Sequence, residues 1–285
     1  MKTIVVPIDF SEYSLDGLKL GVDLAHKFQA NIELVYVQNR QPSFAKMSAE
    51  AERKEAEENF RKLEADYQVY QGDRMAIKSM VKVGSVYREI VAQAKSHRDA
   101  VIVTSTHGAS GFEELFIGSN TLRVLAAAEC PVYTIRHGVQ PENFGNIVFP
   151  LDTTYESRQK APYVAKIAEA YGAKVHVLSI LDSPNDEARQ KLARYREQME
   201  NFFKEKDLSV QTASLDDMDL VDGTLAYTQA LPQALIAVSS QNRRSLPIFM
   251  IGGKSQRLLS KASVPVVVIP PTVMPLGGSF RTTGY

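Results

Sequence analysis

The sequence lacks three features that would each point to a class of protein: a second cysteine, an excess of basic residues and a long apolar run. Cys130 is the single cysteine among 285 residues, so the chain cannot form an internal disulfide and fits a reducing compartment. The 33 Lys and Arg residues balance the 33 Asp and Glu residues, whereas binding nucleic acid through broad electrostatics needs a basic surface. The balanced charge therefore predicts no nucleic-acid partner. No apolar run is long enough to span a bilayer, so we expect no membrane partner either.

Motifs for catalysis and for metal binding are missing as well. The histidines, Cys130 and the carboxylates form no group with the spacing of a metal site, and no nucleophile, base and orienting residue occur together as a hydrolase would require. Cys130 stands beside Pro131 and is interpreted as a small buried apolar residue. The chain starts with a strand-like run, which predicts no signal peptide and a cytoplasmic location. Any hydrolysis of a bound ligand is expected to be slow.

What the sequence does contain is a duplication. Residues 4–10 (IVVPIDF) reappear as residues 147–153 (IVFPLDT), and each copy is an apolar run that ends in Pro, an apolar residue and Asp. Two further pairs of segments align without a gap, 25–37 with 168–180 and 130–132 with 264–266. The length also suits two domains better than one. We therefore predict domains at 1–140 and 145–271, followed by a C-terminal tail at 272–285.

Within each copy, strand-like and helix-like segments alternate. Residues 3–8 are apolar and rich in β-branched side chains, which is typical of strands buried on both faces. Ser11 can cap a helix over residues 12–28, where apolar residues recur at helical spacing. The alternation predicts an α/β fold with a doubly wound, five-stranded parallel sheet in each domain. The predicted strands are 3–8, 31–37, 76–83, 100–104 and 132–136 in the first copy, and 146–151, 174–180, 209–213, 234–238 and 265–269 in the second.

The predicted topology places a ligand site where the strand order reverses, between strands one and four. Asp9 leaves strand one and the segment 105–108 leaves strand four, so they should share a crevice. The Asp9 carboxylate could accept hydrogen bonds from a ribose hydroxyl or an exocyclic amine, but it would repel a phosphate. Residues 118–120 (Gly-Ser-Asn) open the next helix, whose N-terminus favours phosphate.

Two structural alternatives stand beside this interpretation. Gly118 could be a turn residue and Ser119 a helix cap, although their expected position beside Asp9 favours binding. His107 could position a phosphate or could brace the loop, and the sequence does not separate these two roles.

At these residues the chain resembles the universal stress proteins. Strand one ends in Pro-x-Asp-Phe-Ser, and the nucleotide-binding members carry a loop of the form Gly-x-x-Gly, nine residues and Gly-Ser. Here residues 105–108 stand for the first part of the loop, 109–117 for the nine residues and 118–119 for its end. Cys130-Pro131-Val132 at the last strand also matches the family, and the resemblance extends over both copies.

The resemblance implies a tandem member with two adenine nucleotide alpha hydrolase-like domains, paired as a pseudo-dimer through their fifth strands. It further implies a cytoplasmic stress-response protein that binds ATP in its first domain, with Mg²⁺ bridging the phosphates, and that acts as a nucleotide-dependent regulator. An unknown protein partner and a homo-oligomer are open possibilities. The implied nucleotide-binding residues are Pro7, Asp9, Val37 (through its backbone, to adenine), Ser105, His107, Gly108, Gly118, Ser119 and Asn120.

The chain departs from the family pattern in both copies. Ser105 takes the place of the first glycine of the loop. In the second copy Asp152 remains, but Asn242 replaces the second glycine and the loop ends in Gly252-Gly253, which predicts a copy retained as a scaffold. Gly252-Gly253-Lys254-Ser255 is not a P-loop, because Ile248 stands where the upstream glycine is required. These departures keep a second hypothesis open, a nucleotide-free interaction scaffold, while a true enzyme such as a nucleotidyl transferase is least favoured.

Overall fold

The computed structural model describes residues 1–38, 48–67, 76–106, 117–140, 143–183, 185–240 and 253–270. The chain divides into two compact units, the first made of Met1–Glu142 with Leu259–Pro265 and the second of Asn143–Leu258 with Val266–Tyr285. Each unit is a parallel sheet with helices between its strands, so the predicted α/β fold is confirmed. The predicted tail at 272–285 lies outside the described residues.

In the first unit the strand order reverses next to the central strand of the sheet. Its strands run in the order β3-β2-β1-β4-β5, and each neighbouring pair is parallel. The order reverses between β1 and β4, as the sequence predicts. Its elements are β1 (Thr3–Pro7), α1 (Glu12–Phe28), β2 (Asn31–Gln38), α2 (Ala49–Tyr67), β3 (Ile77–Val83), α3 (Val86–Lys95), β4 (Ala100–Ser105), α4 (Ser119–Ala127) and β5 (Val132–Ile135).

The second unit repeats this arrangement in the order β8-β7-β6-β9-β10. The pairing register is repeated too. Thr3 pairs with Asn31 in the first unit, and Asn146 pairs with Lys174 in the second, so both partners are shifted by 143 residues (3 to 146 and 31 to 174). Its elements are β6 (Asn146–Leu151), α5 (Glu156–Gln159), α6 (Ala161–Tyr171), β7 (Lys174–Leu181), α7 (Asp186–Lys204), β8 (Val210–Asp216), α8 (Leu220–Gln229), β9 (Ala234–Ser239), α9 (Gly253–Lys261) and β10 (Val266–Ile269).

Apolar packing on both faces of the central strands holds each sheet in place. Val5 and Val6 in β1 and Val148 and Phe149 in β6 have no solvent exposure. Successive side chains of a strand point to opposite faces, so burial of consecutive residues requires cover on both sides, which the helices supply. The predicted cap of α1 is confirmed, because the Ser11 side chain accepts a hydrogen bond from the Ser14 N–H at 3.3 Å.

Helix α1 approaches β4 closely at Gly17. A Cβ atom at this position would lie 3.4 Å from the Ser105 nitrogen and 3.5 Å from the Thr104 carbonyl carbon. That distance is ordinary contact for one methyl group, but a branched side chain would add atoms against the strand backbone. The absence of a side chain at Gly17 therefore sets how near the helix lies to the strand that ends at Ser105.

We predict opposite effects for Ala and Val at this position. Gly17→Ala should leave the free energy of unfolding unchanged or raise it by up to about 1 kcal/mol, because alanine favours the helix. Gly17→Val should lower it by about 1–3 kcal/mol, because the added methyls press on β4. Urea denaturation of both variants beside the wild type measures the difference. Equal stability of the Ala and Val variants would contradict the close approach.

Candidate functional site

The first candidate site lies at the carboxyl ends of β1 and β4, and we name this space the first crevice. Because β1 and β4 are adjacent and parallel, Asp9 and Ser105 leave their strands at the same edge of the sheet. Asp9 is exposed, and its Oδ1 accepts hydrogen bonds from the Ser11 N–H at 3.0 Å and the Ser11 hydroxyl at 2.5 Å. This turn fixes the carboxylate at the start of α1.

The start of α4 is attached to the end of β4 by two hydrogen bonds. The Gly118 N–H donates to the Thr106 carbonyl at 2.8 Å, and the Thr121 hydroxyl donates to the Ser105 carbonyl at 3.0 Å. No side chain caps this helix within the part of the chain that the structure describes, and Ser119 and Asn120 are exposed. The positive end of the helix dipole is therefore open to an anion beside the first crevice.

Strand β2 forms the other side of the first crevice. Pro7, the last residue of β1, pairs in register with Val35, and the Ile8 N–H donates to the Val35 carbonyl at 3.0 Å. Val37 follows two residues further along β2 and is half-buried. The structure thus brings Pro7, Asp9 and Val37 to one edge of the sheet together with the start of α4.

Two of the predicted site residues cannot be placed in this geometry. His107 and Gly108 lie outside the described residues. The two roles left open for His107, positioning a phosphate and bracing the loop, therefore both stay predictions.

An aromatic cluster that the sequence did not reveal supports the turn at Asp9. Phe10 adopts the left-handed backbone conformation with φ 63°. Its ring stacks on Tyr36 at 5.5 Å between centroids and meets Phe60 edge-on at 5.1 Å. The Tyr36 hydroxyl donates to the Glu52 carboxylate at 2.7 Å, and burial together with this carboxylate raises the pKa of Tyr36. The cluster joins the turn to β2 and α2, which holds Asp9 at the crevice.

The second unit repeats the turn at its own aspartate. Asp152 Oδ1 accepts hydrogen bonds from the Thr154 N–H at 2.8 Å and from the Thr154 hydroxyl, as Asp9 does from Ser11. The repeat shows that this turn belongs to the fold and does not by itself mark a binding site.

A cavity of about 470 Å³ lies at the matching edge of the second unit, and we name it the second pocket. The sequence did not predict it. Its walls come from the carboxyl ends of β6, β7 and β9 and from the first turns of α8 and α9. Lys254, which lines the second pocket, forms two ion pairs: its Nζ lies 3.5 Å from a carboxylate oxygen of Asp182 and 3.5 Å from one of Asp219.

Lys160 is a buried lysine in the wall of the second pocket. Its exposure is 2%, and its Nζ donates to the carbonyls of Pro150 at 2.7 Å and Ser157 at 2.5 Å. Nζ also lies 4.0 Å from the centroid of the Phe149 ring. Burial lowers the pKa of Lys160 from its ordinary value of 10.5 to about 7. Sequence reasoning missed this residue, because a lysine at the end of a charged helical turn is typical of a solvated position.

Cys130, which the sequence predicts to be buried, is partly exposed. Burial raises the pKa of the Cys130 thiol to about 11, which opposes a nucleophilic role. No group of three or more His, Cys, Asp and Glu residues in the described ranges could hold a metal ion. In the same ranges, none of the helices has both the length and the apolar character needed to cross a membrane.

Comparisons with known proteins identify a family for both units. The universal stress protein family model matches residues 1–136 and 143–270. A universal stress protein of Methanocaldococcus jannaschii is 30% identical in an alignment of 149 residues, which covers 47% of this chain and 82% of that protein. The fold of a universal stress protein from Archaeoglobus fulgidus superposes with a TM-score of 0.78 at 18% identity and covers 94% of this chain and 98% of that one. A putative universal stress protein from Pseudomonas aeruginosa superposes with a TM-score of 0.65 at 17% sequence identity. The match covers 95% of this chain and 94% of that one.

The buried lysine predicts a pH dependence of stability. Between pH 7 and pH 10.5 the unfolded chain holds a proton on Lys160 that the folded chain has lost. Folding should therefore become more favourable as the pH rises through this window, by up to about 1.4 kcal/mol per pH unit. Urea denaturation of the wild type and of Lys160→Met at several pH values measures the difference, with Lys174→Met as an exposed control. Parallel pH profiles for the wild type and Lys160→Met would show that Lys160 stays charged in the fold.

Proposed function

The chain belongs to the universal stress protein family, and we propose that it is a cytoplasmic stress-response protein that binds ATP in its first unit. In this proposal it acts as a nucleotide-dependent regulator and not as a fast enzyme. The observation that carries the proposal is the position of Asp9 and the uncapped start of α4 at one edge of the sheet. The single cysteine supports a reducing compartment.

The groups around the first crevice are complementary to the parts of ATP. The exposed Asp9 carboxylate can accept hydrogen bonds from ribose hydroxyls, and the backbone of Val37 can contact adenine. Ser119 and Asn120, at the start of α4, can receive the phosphates, which the Asp9 carboxylate would repel. Because no acidic cluster in the described ranges could hold a metal, Mg²⁺ would be carried by the phosphates themselves.

The second unit is less suited to a triphosphate. The ammonium group of Lys254, at the start of α9, is shared by Asp182 and Asp219, each 3.5 Å away. The carboxylates of Asp152 and Glu156 also line the second pocket. Among the described residues, a triphosphate there would face more negative than positive charge, so we assign ATP to the first unit alone.

The two matched aspartates allow a direct test of this assignment. Asp9→Asn should weaken ATP binding about fivefold or more, because a charge-assisted hydrogen bond is replaced by a neutral one. Asp152→Asn removes the same charge from the same turn and should leave the affinity unchanged. Calorimetric titration of both variants with Mg·ATP measures the affinities. An equal loss in both variants, or a loss only in Asp152→Asn, would contradict the assignment to the first unit.

A second pair of variants tests the phosphate position. Gly118 has φ −55° and ψ 138°, a conformation open to any residue, so Gly118→Val should fold. Its branched side chain would block the start of α4 and should weaken ATP binding at least about tenfold, since each charge-assisted hydrogen bond lost costs about 1.5–3 kcal/mol. Gly253→Val at the start of α9, where an added Cβ meets nothing within 4 Å, should have no effect. Unchanged affinity in folded Gly118→Val would place the phosphates elsewhere.

A further inference from the structure

Lys160 is buried without an ion-pair partner among the described residues. The described residues place no carboxylate within 4.0 Å of its Nζ, whereas Lys254, which lines the same pocket, has two. Burying an ammonium ion without a counter-charge is expensive, and a lysine in that position tends to lose its proton instead. The surroundings of Lys160 therefore favour a neutral amine.

The hydrogen bonds of Lys160 fit a neutral amine as well. A neutral amine has two N–H donors, and the carbonyls of Pro150 and Ser157 accept two hydrogen bonds from Nζ at 2.7 and 2.5 Å. One lone pair on the nitrogen is then left over. The lowered pKa of about 7 agrees with this geometry. A desolvated lysine of this kind is a nucleophile near neutral pH.

The fold itself does not need a lysine at this position. The two sheets are related by a shift of 143 residues, from Thr3 to Asn146. The same shift leads from Gly17, which has no side chain, to Lys160. The neighbouring turns at Asp9 and Asp152 keep the same hydrogen bonds in both units. The lysine is thus an addition specific to the second unit, at a position where the first unit folds with glycine.

The second pocket offers space for a small molecule beside this amine. Its volume of about 470 Å³ lies in the range of ligand pockets, which is roughly 300–1,000 Å³. Ile180, Leu181 and Val221 give it an apolar wall, and Asp152 and Glu156 contribute carboxylates. An apolar wall suits an alkyl chain, while the carboxylates disfavour anionic electrophiles such as acyl phosphates. A carbamate formed with CO₂ would be an anion beside Asp152 and two carbonyl oxygens, which is equally unfavourable.

We propose that the second pocket captures small aliphatic aldehydes as an imine on Lys160. The nitrogen lone pair attacks the aldehyde carbon and forms a C–N bond, while one proton of the amine moves to the aldehyde oxygen to give a carbinolamine. The hydroxyl group then leaves as water with the second amine proton, and the C=N bond forms. The step needs no oxidant or reductant, and hydrolysis reverses it.

Reductive trapping in the full-length protein tests the proposal. The wild type is incubated with butanal at pH 7, reduced with borohydride and digested, and the butyl adduct is quantified at each lysine by mass spectrometry. Lys160 should carry at least tenfold more adduct than ion-paired Lys254 and exposed Lys174, because a lysine of ordinary pKa is less than about 0.1% neutral at pH 7. The three lysines are compared within one folded molecule, so no variant has to fold for the result to count.

The pH profile and two variants separate a nucleophile from a structural lysine. Between pH 7 and pH 9 the adduct at Lys174 should rise steeply with the fraction of neutral amine, whereas the adduct at Lys160 should change about twofold or less. Lys174→Met, which changes an exposed lysine outside the second pocket, should leave the Lys160 adduct in place, and Lys160→Arg should abolish it. No adduct at Lys160, or a yield no higher than at Lys254 and Lys174, would overturn the proposal.

Discussion

The parallel pairing of β1 with β4, and of β6 with β9, is the constraint on which both candidate sites depend. In each unit the chain leaves these adjacent strands at the same edge, and the strands that follow lie on opposite sides in the sheet, β2 and β5 in the first unit and β7 and β10 in the second. An aspartate stands at the first exit in both units, held by a neighbouring hydroxyl and N–H. The position of that carboxylate follows from backbone pairing, and the side chains around it decide what each space can bind.

In our proposals, one duplicated fold supports two different chemistries. In the first unit Gly17 lets α1 lie against β4, and the start of α4 remains uncapped beside Asp9. In the second unit Lys160 occupies the position that matches Gly17, and Lys254 is held by two carboxylates at the start of α9. The backbone registers agree while these side chains differ. The proposed difference in function therefore rests on a few residues at the sheet edge, while both units bury apolar residues on their central strands.

The sequence predicted those parts of the structure that depend on local pattern. Helix α1 begins and ends where apolar spacing and the Ser11 cap place it, whereas β8 runs to Asp216, beyond the predicted end at residue 213. The left-handed Phe10 could not be predicted, because its ring is held by Tyr36 and Phe60 from distant elements. Lys160 was missed for a similar reason, since burial of a lysine is decided by tertiary packing. Conversely, the sequence predicted that Asp9 follows a strand and that Gly118 precedes a helix, because local sequence patterns mark the ends of strands and the starts of helices.

The central claim is that the two units differ in what they bind, with ATP confined to the first. Native mass spectrometry of the freshly purified full-length chain, before and after addition of Mg·ATP, tests it most directly. We predict that the mass saturates with one nucleotide per chain, because the first unit brings Asp9 to the same sheet edge as a helix start that no described side chain caps. Saturation with two nucleotides would contradict the division between the units. The absence of bound nucleotide at saturating ATP would contradict nucleotide binding itself. It would favour the second hypothesis, a nucleotide-free interaction scaffold, which the serine at position 105 keeps open.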